Sequence, residues 1–274
     1  MKKDLSFFCG LCLLFSITLS GCFLNKMQQK NNSQADLPES ELIPGPITLD
    51  DDPQGLDFYP TDNNEYYVAK GQSELLSTIT IPSTYKNRPV VGIMPSGFSH
   101  LKNTKKIILL NTIEYIGENA FYMSSSLSSL NIPSSIVFIG NDAFSGCESL
   151  NYTISEYGYY LGDDDNHFVV LIRAIESSEN PAVIDKNCRL IYYNAFSTGY
   201  ISSLTIPDGV KTISSSAFIN CYNLTEVFIP KSVTRIDSKA FLYCSSLTIY
   251  CKAESKPDGW ASDWNSGYPV VWGY

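Results

Sequence analysis

The chain has 274 residues, of which 44% are hydrophobic and only 17% charged, and its formal net charge is −9. That acidic balance excludes a nucleic-acid binder, whose partner's phosphates require a basic stripe, and a polybasic membrane-binding surface. Eighteen Tyr and 14 Phe in a charge-poor chain suit many short strands and turns better than long helices.

Lys2 and Lys3 precede an almost wholly apolar run from Leu5 to Leu19, too short to span a bilayer comfortably. Leu19-Ser20-Gly21-Cys22 comes next and resembles a lipobox. Small residues before the cut let a peptidase approach the backbone, and the Cys22 thiol would become a thioether to diacylglycerol. Residues 1–21 are therefore read as a lipoprotein signal peptide and Cys22 as the lipidation site. The alternative is an ordinary signal peptide with a coincident cysteine. Phe23, and not Asp, stands after Cys22, which points away from inner-membrane retention and towards the outer membrane or cell surface. Residues 22–53 are polar and broken by Pro38, Pro44, Pro46 and Pro53, the composition of a flexible tether. Its run Asp50-Asp51-Asp52 lacks the spaced oxygen ligands of a calcium loop.

Residues 54–75 hold two aromatic-rich runs around Asp62-Asn63-Asn64, a hairpin signal, and would cap the first coil of a repeat array. That array occupies residues 76–250. The segments LSSLNIPSSIVFIGNDAFSGCES (127–149), ISSLTIPDGVKTISSSAFINCYN (201–223) and LTEVFIPKSVTRIDSKAFLYCSS (224–246) align over 23 residues without a gap. Copies at 104–126, at 76–98 (with an insertion of five residues) and, degenerate at its start, at 182–196 extend the array. In each, a short alternating run such as Val227 and Ile229 predicts a strand that Pro230 ends. Val233 and Ile236 return the chain across the other side of the coil, and Ala240-Phe241 makes a tight turn. One such coil cannot bury its own apolar face, whereas stacked copies can. Phe98, Phe121, Phe144, Phe196, Phe218 and Phe241 should then form one column along the core. The fold class is a β-rich leucine-rich-repeat solenoid with short parallel strands and short helical or 3-10 turns, capped at both ends.

The Ile-Pro, Ala-Phe and Cys positions of these repeats resemble the BspA-like (Treponema pallidum type) leucine-rich-repeat family of bacterial surface proteins, over about residues 76–250. The resemblance implies an exported or lipid-anchored surface protein, with adhesion to host or microbial proteins as its function and the exposed sheet face as ligand platform. The outward positions of that face are Lys106, Ile108, Ser129, Asn131, Ser203, Thr205, Glu226 and Phe228. Phe228 and Lys106 are the aromatic and cationic anchors that binding hot spots use.

Residues 151–181 interrupt the array with two strand-like runs around Gly162-Asp163-Asp164-Asp165-Asn166, read as a hairpin that projects from or widens one coil. Three Asp beside His167 could suggest a metal site, but consecutive side chains diverge on an extended chain and turns favour Asp and Asn anyway. Residues 251–274 carry Trp260, Trp264 and Trp272, which either stack sugars or, the preferred reading, plug the open end of the solenoid. Cys147, Cys221 and Cys244 share one repeat slot, where Ser124 stands in another copy, so a small buried filler suffices and free thiols are preferred over a Cys221–Cys244 disulfide. The two His, His100 and His167, sit in no catalytic motif, and no cofactor is expected. Two alternatives to protein binding stay open: glycan binding through Tyr157, Tyr159, Tyr160 and the Trp residues, or a structural envelope lipoprotein with no dedicated ligand.

Overall fold

The structure is a computed structural model that describes residues 52–175, 182–196 and 201–274. The expected signal peptide, Cys22 and nearly all of the tether lie outside these residues. The chain enters through β1 (Asp57–Pro60) and β2 (Tyr66–Ala69), an antiparallel pair turned at Asn64, whose φ of 64° is left-handed. Phe58 and Val68 of this pair are fully buried. The first coils supply β3 (Thr78–Thr80), β4 (Thr84–Tyr85), β5 (Arg88–Ile93), β6 (Lys106–Ile108), β7 (Tyr115–Ile116), β8 (Ser129–Leu130) and β9 (Phe138–Ile139). Strands β3, β6 and β8 stack in parallel on one side, and β2, β5, β7 and β9 on the other, with β1 at the edge and β4 paired to β5.

After the third coil come β10 (Thr153–Ile154), β11 (Gly158–Leu161) and β12 (Val170–Ala174), paired antiparallel in that order. The array resumes with β13 (Leu190–Ile191), β14 (Ser203–Thr205), β15 (Thr212–Ile213), β16 (Glu226–Ile229), β17 (Arg235–Ile236), β18 (Thr248–Cys251) and β19 (Val270–Trp272). Strand β12 pairs in parallel with β13, so the inserted strands extend the sheet β13–β15–β17, while β14, β16, β18 and β19 form the facing sheet.

Among the described residues the coils close through left-handed corners and almost no helix. One precedes the Ala-Phe pair (Asn119, Asp142, Asn194, Ser216 and Lys239, φ between 53° and 57°). The other stands two residues after the Phe (His100, Met123, Gly146, Asn220 and Tyr243). The expectation of short helical turns therefore narrows: one 3-10 turn, Ser73–Leu75, is the helical element among the described residues. Left-handed corners stop the chain from continuing into a helix.

Coil-to-coil bonds explain the repeat residue by residue. The amides of Phe98, Phe121, Phe196 and Phe218 donate to the carbonyl of the Ala before the next Phe, at 2.7–2.9 Å. The small residue three after the Phe returns the bond. Ser124 Oγ donates to Phe98 O (2.8 Å), Cys147 Sγ to Phe121 O (3.0 Å), Cys221 Sγ to Phe196 O (3.3 Å) and Cys244 Sγ to Phe218 O (3.2 Å). The slot thus selects a small side chain that also carries a donor. Cys147, Cys188, Cys221, Cys244 and Cys251 are all buried, and none forms a disulfide among the described residues. Burial pushes the thiols of Cys147 up to about 11 and of Cys188 and Cys251 up to about 12. The neighbouring Cys221 holds the Cys244 thiol below its usual value.

The single Phe column expected from the sequence is in fact two. Phe98, Phe121 and Phe144 stack at 6.1 and 6.0 Å, and Phe196, Phe218 and Phe241 at 4.9 and 5.0 Å. Between them the solenoid turns a corner, and the sheet β11–β12–β13–β15–β17 becomes a wall with a core on each side. Leu161, Val170, Leu190 and Tyr192 belong to the first core, whereas Tyr160, Leu171 and Ile191 belong to the second. The period-2 alternation of a strand makes this possible, because adjacent residues point to opposite faces. Tyr192 lies 5.5 Å from Phe144 and ends the first column. Its hydroxyl accepts the Ala143 amide (2.9 Å) and donates to Gly140 O (3.1 Å). Along the same wall Thr212 Oγ1 donates to Val137 O (2.9 Å), Ser215 Oγ to Asn141 Oδ1 (2.7 Å), and the Arg235 guanidinium sits 4.7 Å above the Phe138 ring.

This packing has consequences that stability and labelling measurements can check. Tyr192→Phe keeps the ring but leaves the buried Ala143 amide without its acceptor, and should destabilise the protein by about 1–3 kcal/mol in urea denaturation; an unchanged midpoint would contradict the bond. Native protein at pH 8 should resist alkylation at all five of these thiols, and denatured, unreduced protein should label at all five. Missing label after denaturation would reveal a disulfide. Because the folded-state values of Cys147, Cys188 and Cys251 are raised, the unfolded state loses its thiol protons first, so Tm should fall as pH rises above about 9.

Candidate ligand-binding surface

The outward strand positions form two separate faces. On the first block Thr78, Lys106 and Ser129 lie in register across β3, β6 and β8, with Thr80 beside Ile108. Lys106 and Ser129 are exposed and Ile108 is half-buried. Asn131 is not an open contact residue: its amide pairs with the backbone of Leu109 as a strand would, accepting the amide (2.9 Å) and donating to the carbonyl (2.7 Å). An Asn just past a short strand can extend the ladder by itself, which removes it from the face the sequence assigned to it.

On the second block the rows are Ser203, Glu226 and Thr248, and Thr205, Phe228, Tyr250 and Val271. Ser203 and Thr205 are exposed, and Glu226 and Phe228 half-buried. The residues proposed for one face are therefore divided between two sheets, because the corner separates β8 from β14.

Phe228 is the centre of the more distinctive of the two faces. Its ring stacks on Tyr250 at 4.9 Å, nearly parallel, since parallel in-register strands bring like positions about 4.8 Å apart. Tyr274 folds over both rings, 5.5 Å from Phe228 and 6.0 Å from Tyr250, and remains 46% exposed. Burial raises the Tyr274 phenol above its usual value, with Cys251 and Asp208 adding to the shift. Val271, also exposed, completes the row. Strand β19 is held to β18 by its ladder and by Gly273, whose amide donates to Cys251 O and Ala253 O, and whose φ of 69° turns the chain back over the sheet. Tyr250 and Tyr274 lie outside the best-matching repeats, so the repeat pattern did not single them out. Their signal was position: Tyr250 is one coil beyond Phe228 in register.

The aromatic residues considered for sugar stacking are differently placed. Trp260 and Trp264 are each 2% exposed. Trp264 closes the second Phe column at 6.1 Å from Phe241, and Trp260 Nε1 donates to Val233 O (3.1 Å). Trp272 packs partly against both. Tyr160 is fully buried, its hydroxyl accepting the Asp185 amide, and the Tyr159 ring is covered by Arg173 at 4.4 Å. The Asp163 carboxylate accepts the amides of Asp165 and Asn166 and so closes its own turn.

The family model described as BspA type Leucine rich repeat region matches the chain in six copies, over residues 70–162 and 176–254. Among solved structures the chain is similar to a leucine-rich-repeat protein of T. pallidum, at 17% identity and a TM-score of 0.39, covering 78% of this chain and 94% of that one. It is also similar to a leucine-rich-repeat protein of Eubacterium ventriosum (18% identity, TM-score 0.35, 83% of this chain and 78% of that one). The pneumococcal vaccine antigen PcpA matches at 13% identity and a TM-score of 0.24, covering 84% of this chain and 98% of that one. No curated protein matches the chain.

Proposed function

Because the chain belongs to the BspA-type leucine-rich-repeat family, we propose that it is a lipid-anchored bacterial surface protein that binds a host or microbial surface protein, as an adhesin. Cys22 carries the anchor in this reading, and the tether holds the solenoid away from the membrane. The protein acts by binding and not by catalysis.

The observation that carries the reading is the ladder of Phe228, Tyr250 and Tyr274 on the outward face of the second block. Large, rigid aromatic side chains supply much of the energy at protein interfaces, because they bury wide area while fixing few torsions. The ring geometry favours a protein over a glycan at this face. Sugar stacking needs a free ring face, and here Phe228 and Tyr250 each give one face to the other, while the opposite faces look along the row to Thr205 and Val271. Their outward edges, with the half-buried Glu226 on the neighbouring row, fit apolar and polar side chains of a partner.

In solid-phase binding of the full chain to immobilised extracellular-matrix proteins, Phe228→Ala combined with Tyr250→Ala should weaken binding at least tenfold, about 1.4 kcal/mol. Lys106→Ala should leave it unchanged. The reverse pattern would move the site to the first block. For the anchor, an alkyne-tagged fatty acid fed to expressing cells should label the wild type and not Cys22→Ser; label persisting in the variant would refute lipidation there.

A further inference from the structure

The corner of the solenoid opens a cleft of about 430 Å³, within the range of small-molecule sites, roughly 300–1,000 Å³. Three segments far apart in the chain meet there. Ser134 comes from the β8–β9 connection of the first block, residues 165–168 from the β11–β12 turn, and Lys186, Asn187 and Arg189 from the approach to β13. The two loops are tied together: Asn166 Nδ2 donates to Asn187 O (3.0 Å), and Asn166 Oδ1 accepts the Phe168 amide (3.0 Å). Asp185 Oδ1 accepts the Asn187 amide (2.8 Å) and sets the second loop. The walls are thus shaped before any ligand arrives.

The lining has a charge opposite to that of the whole. In a chain with nine more acidic than basic residues, this cleft gathers Lys186 and Arg189 against the single carboxylate among its lining residues, Asp165, with the imidazole of His167 beside them. The nearby Asp163 and Asp185 direct their carboxylates into their own turns. Among the described residues Lys186 and Arg189 make no ion pair; the Arg189 side chain makes only a long bond, Nη1 to Gly209 O at 3.4 Å. A concave surface with unpaired cations concentrates anions, and a guanidinium matches a carboxylate with two parallel bonds. Phe168 adds a half-buried ring, steadied edge-on against Tyr160 at 5.2 Å. The side chains of Ser134 and Asn187 have no partner among the described residues and offer a hydroxyl and an amide. Cations, one aromatic surface and small uncharged hydrogen-bonding groups together match a ring that carries both hydroxyls and a carboxylate.

From this we infer that the corner cleft binds an acidic saccharide, with Arg189 and Lys186 on the carboxylate, Phe168 beneath the ring, and Ser134 and Asn187 on its hydroxyls. This site is separate from the aromatic strand face, and either can fail without the other. Ligand-observed NMR and calorimetry on the full chain test it with three probes: methyl glucuronide, its neutral counterpart methyl glucoside, and N-acetylaspartate as an acid without a sugar ring. The glucuronide should bind at least tenfold more tightly than either of the others. Lys186→Ala and Arg189→Ala should each weaken it at least fivefold. Lys186 is exposed, so its variant should retain the wild-type Tm and report on binding alone. Absence of glucuronide binding at 10 mM, equal binding of the glucoside, or binding unchanged in Lys186→Ala would overturn the proposal. Equal binding of N-acetylaspartate would do so too, and would assign the cleft to acidic peptides.

Discussion

A parallel coil leaves its work unfinished at both ends. Its outer strand presents unpaired amides and carbonyls, and the cross-section of its core faces water. Most of what is not repetitive in this chain answers that constraint. The hairpin β1–β2 closes the start, burying Phe58 and Val68 over the first coil. Trp260 and Trp264 close the finish against Phe241 and Val233. The end of the first block, at β9 and Phe144, is closed by the second block itself, through Tyr192, Thr212, Ser215 and Arg235.

That middle closure decides where a ligand surface can be. Were the stack continuous, the outward residues from Lys106 to Phe228 would make one long face. The wall splits them, so each block carries a face of its own, and the corner creates a concave place that no coil has alone. The aromatic face depends on the C-terminal cap in turn. Strand β19 and Gly273 place Tyr274 over Phe228 and Tyr250, while the Trp residues beneath hold the last coil together. Core and face aromatics are thus sorted by side of the sheet: Trp260, Trp264 and the Phe columns inward, Phe228, Tyr250 and Tyr274 outward.

The coil was legible because its determinants recur every 23 residues. Ile-Pro, Ala-Phe and the Cys slot each occupy the same place in every turn, and a local rule repeated is easy to see. What the slot does was less visible, since a thiol that fills space and one that donates to the Phe carbonyl of the previous coil look alike in sequence. The corner was not legible. Its contacts join residues 49 to 97 positions apart, and Thr212, Ser215 and Arg235 sit in repeat positions that look ordinary. One signal was present: Tyr192 occupies the slot held by Gly117, Gly140, Ser214 and Asp237 in four other coils and by Met94 in the first. In the first block a Cβ there would stand 2.4 Å from the previous coil's backbone. A bulky side chain in that slot, as at Met94 behind the β1–β2 hairpin and at Tyr192 behind the inserted strands, marks a coil whose preceding neighbour is not an ordinary coil. Among the proposed face residues, Asn131 misled for a related reason, since its amide completes the ladder that the backbone leaves open.

The shared wall makes a direct physical demand: neither core is sealed without it, so the two blocks must unfold together. All three Trp residues lie beyond residue 259, so tryptophan fluorescence reports the second block alone. Amide exchange at Phe98 and Phe121, bonded to the carbonyls of Ala120 and Ala143, reports the first. In a urea series monitored by both, coincident transitions with one midpoint are the result a shared wall requires. A second block that melts while the Phe98 and Phe121 amides remain protected would show two independent solenoids and contradict the corner.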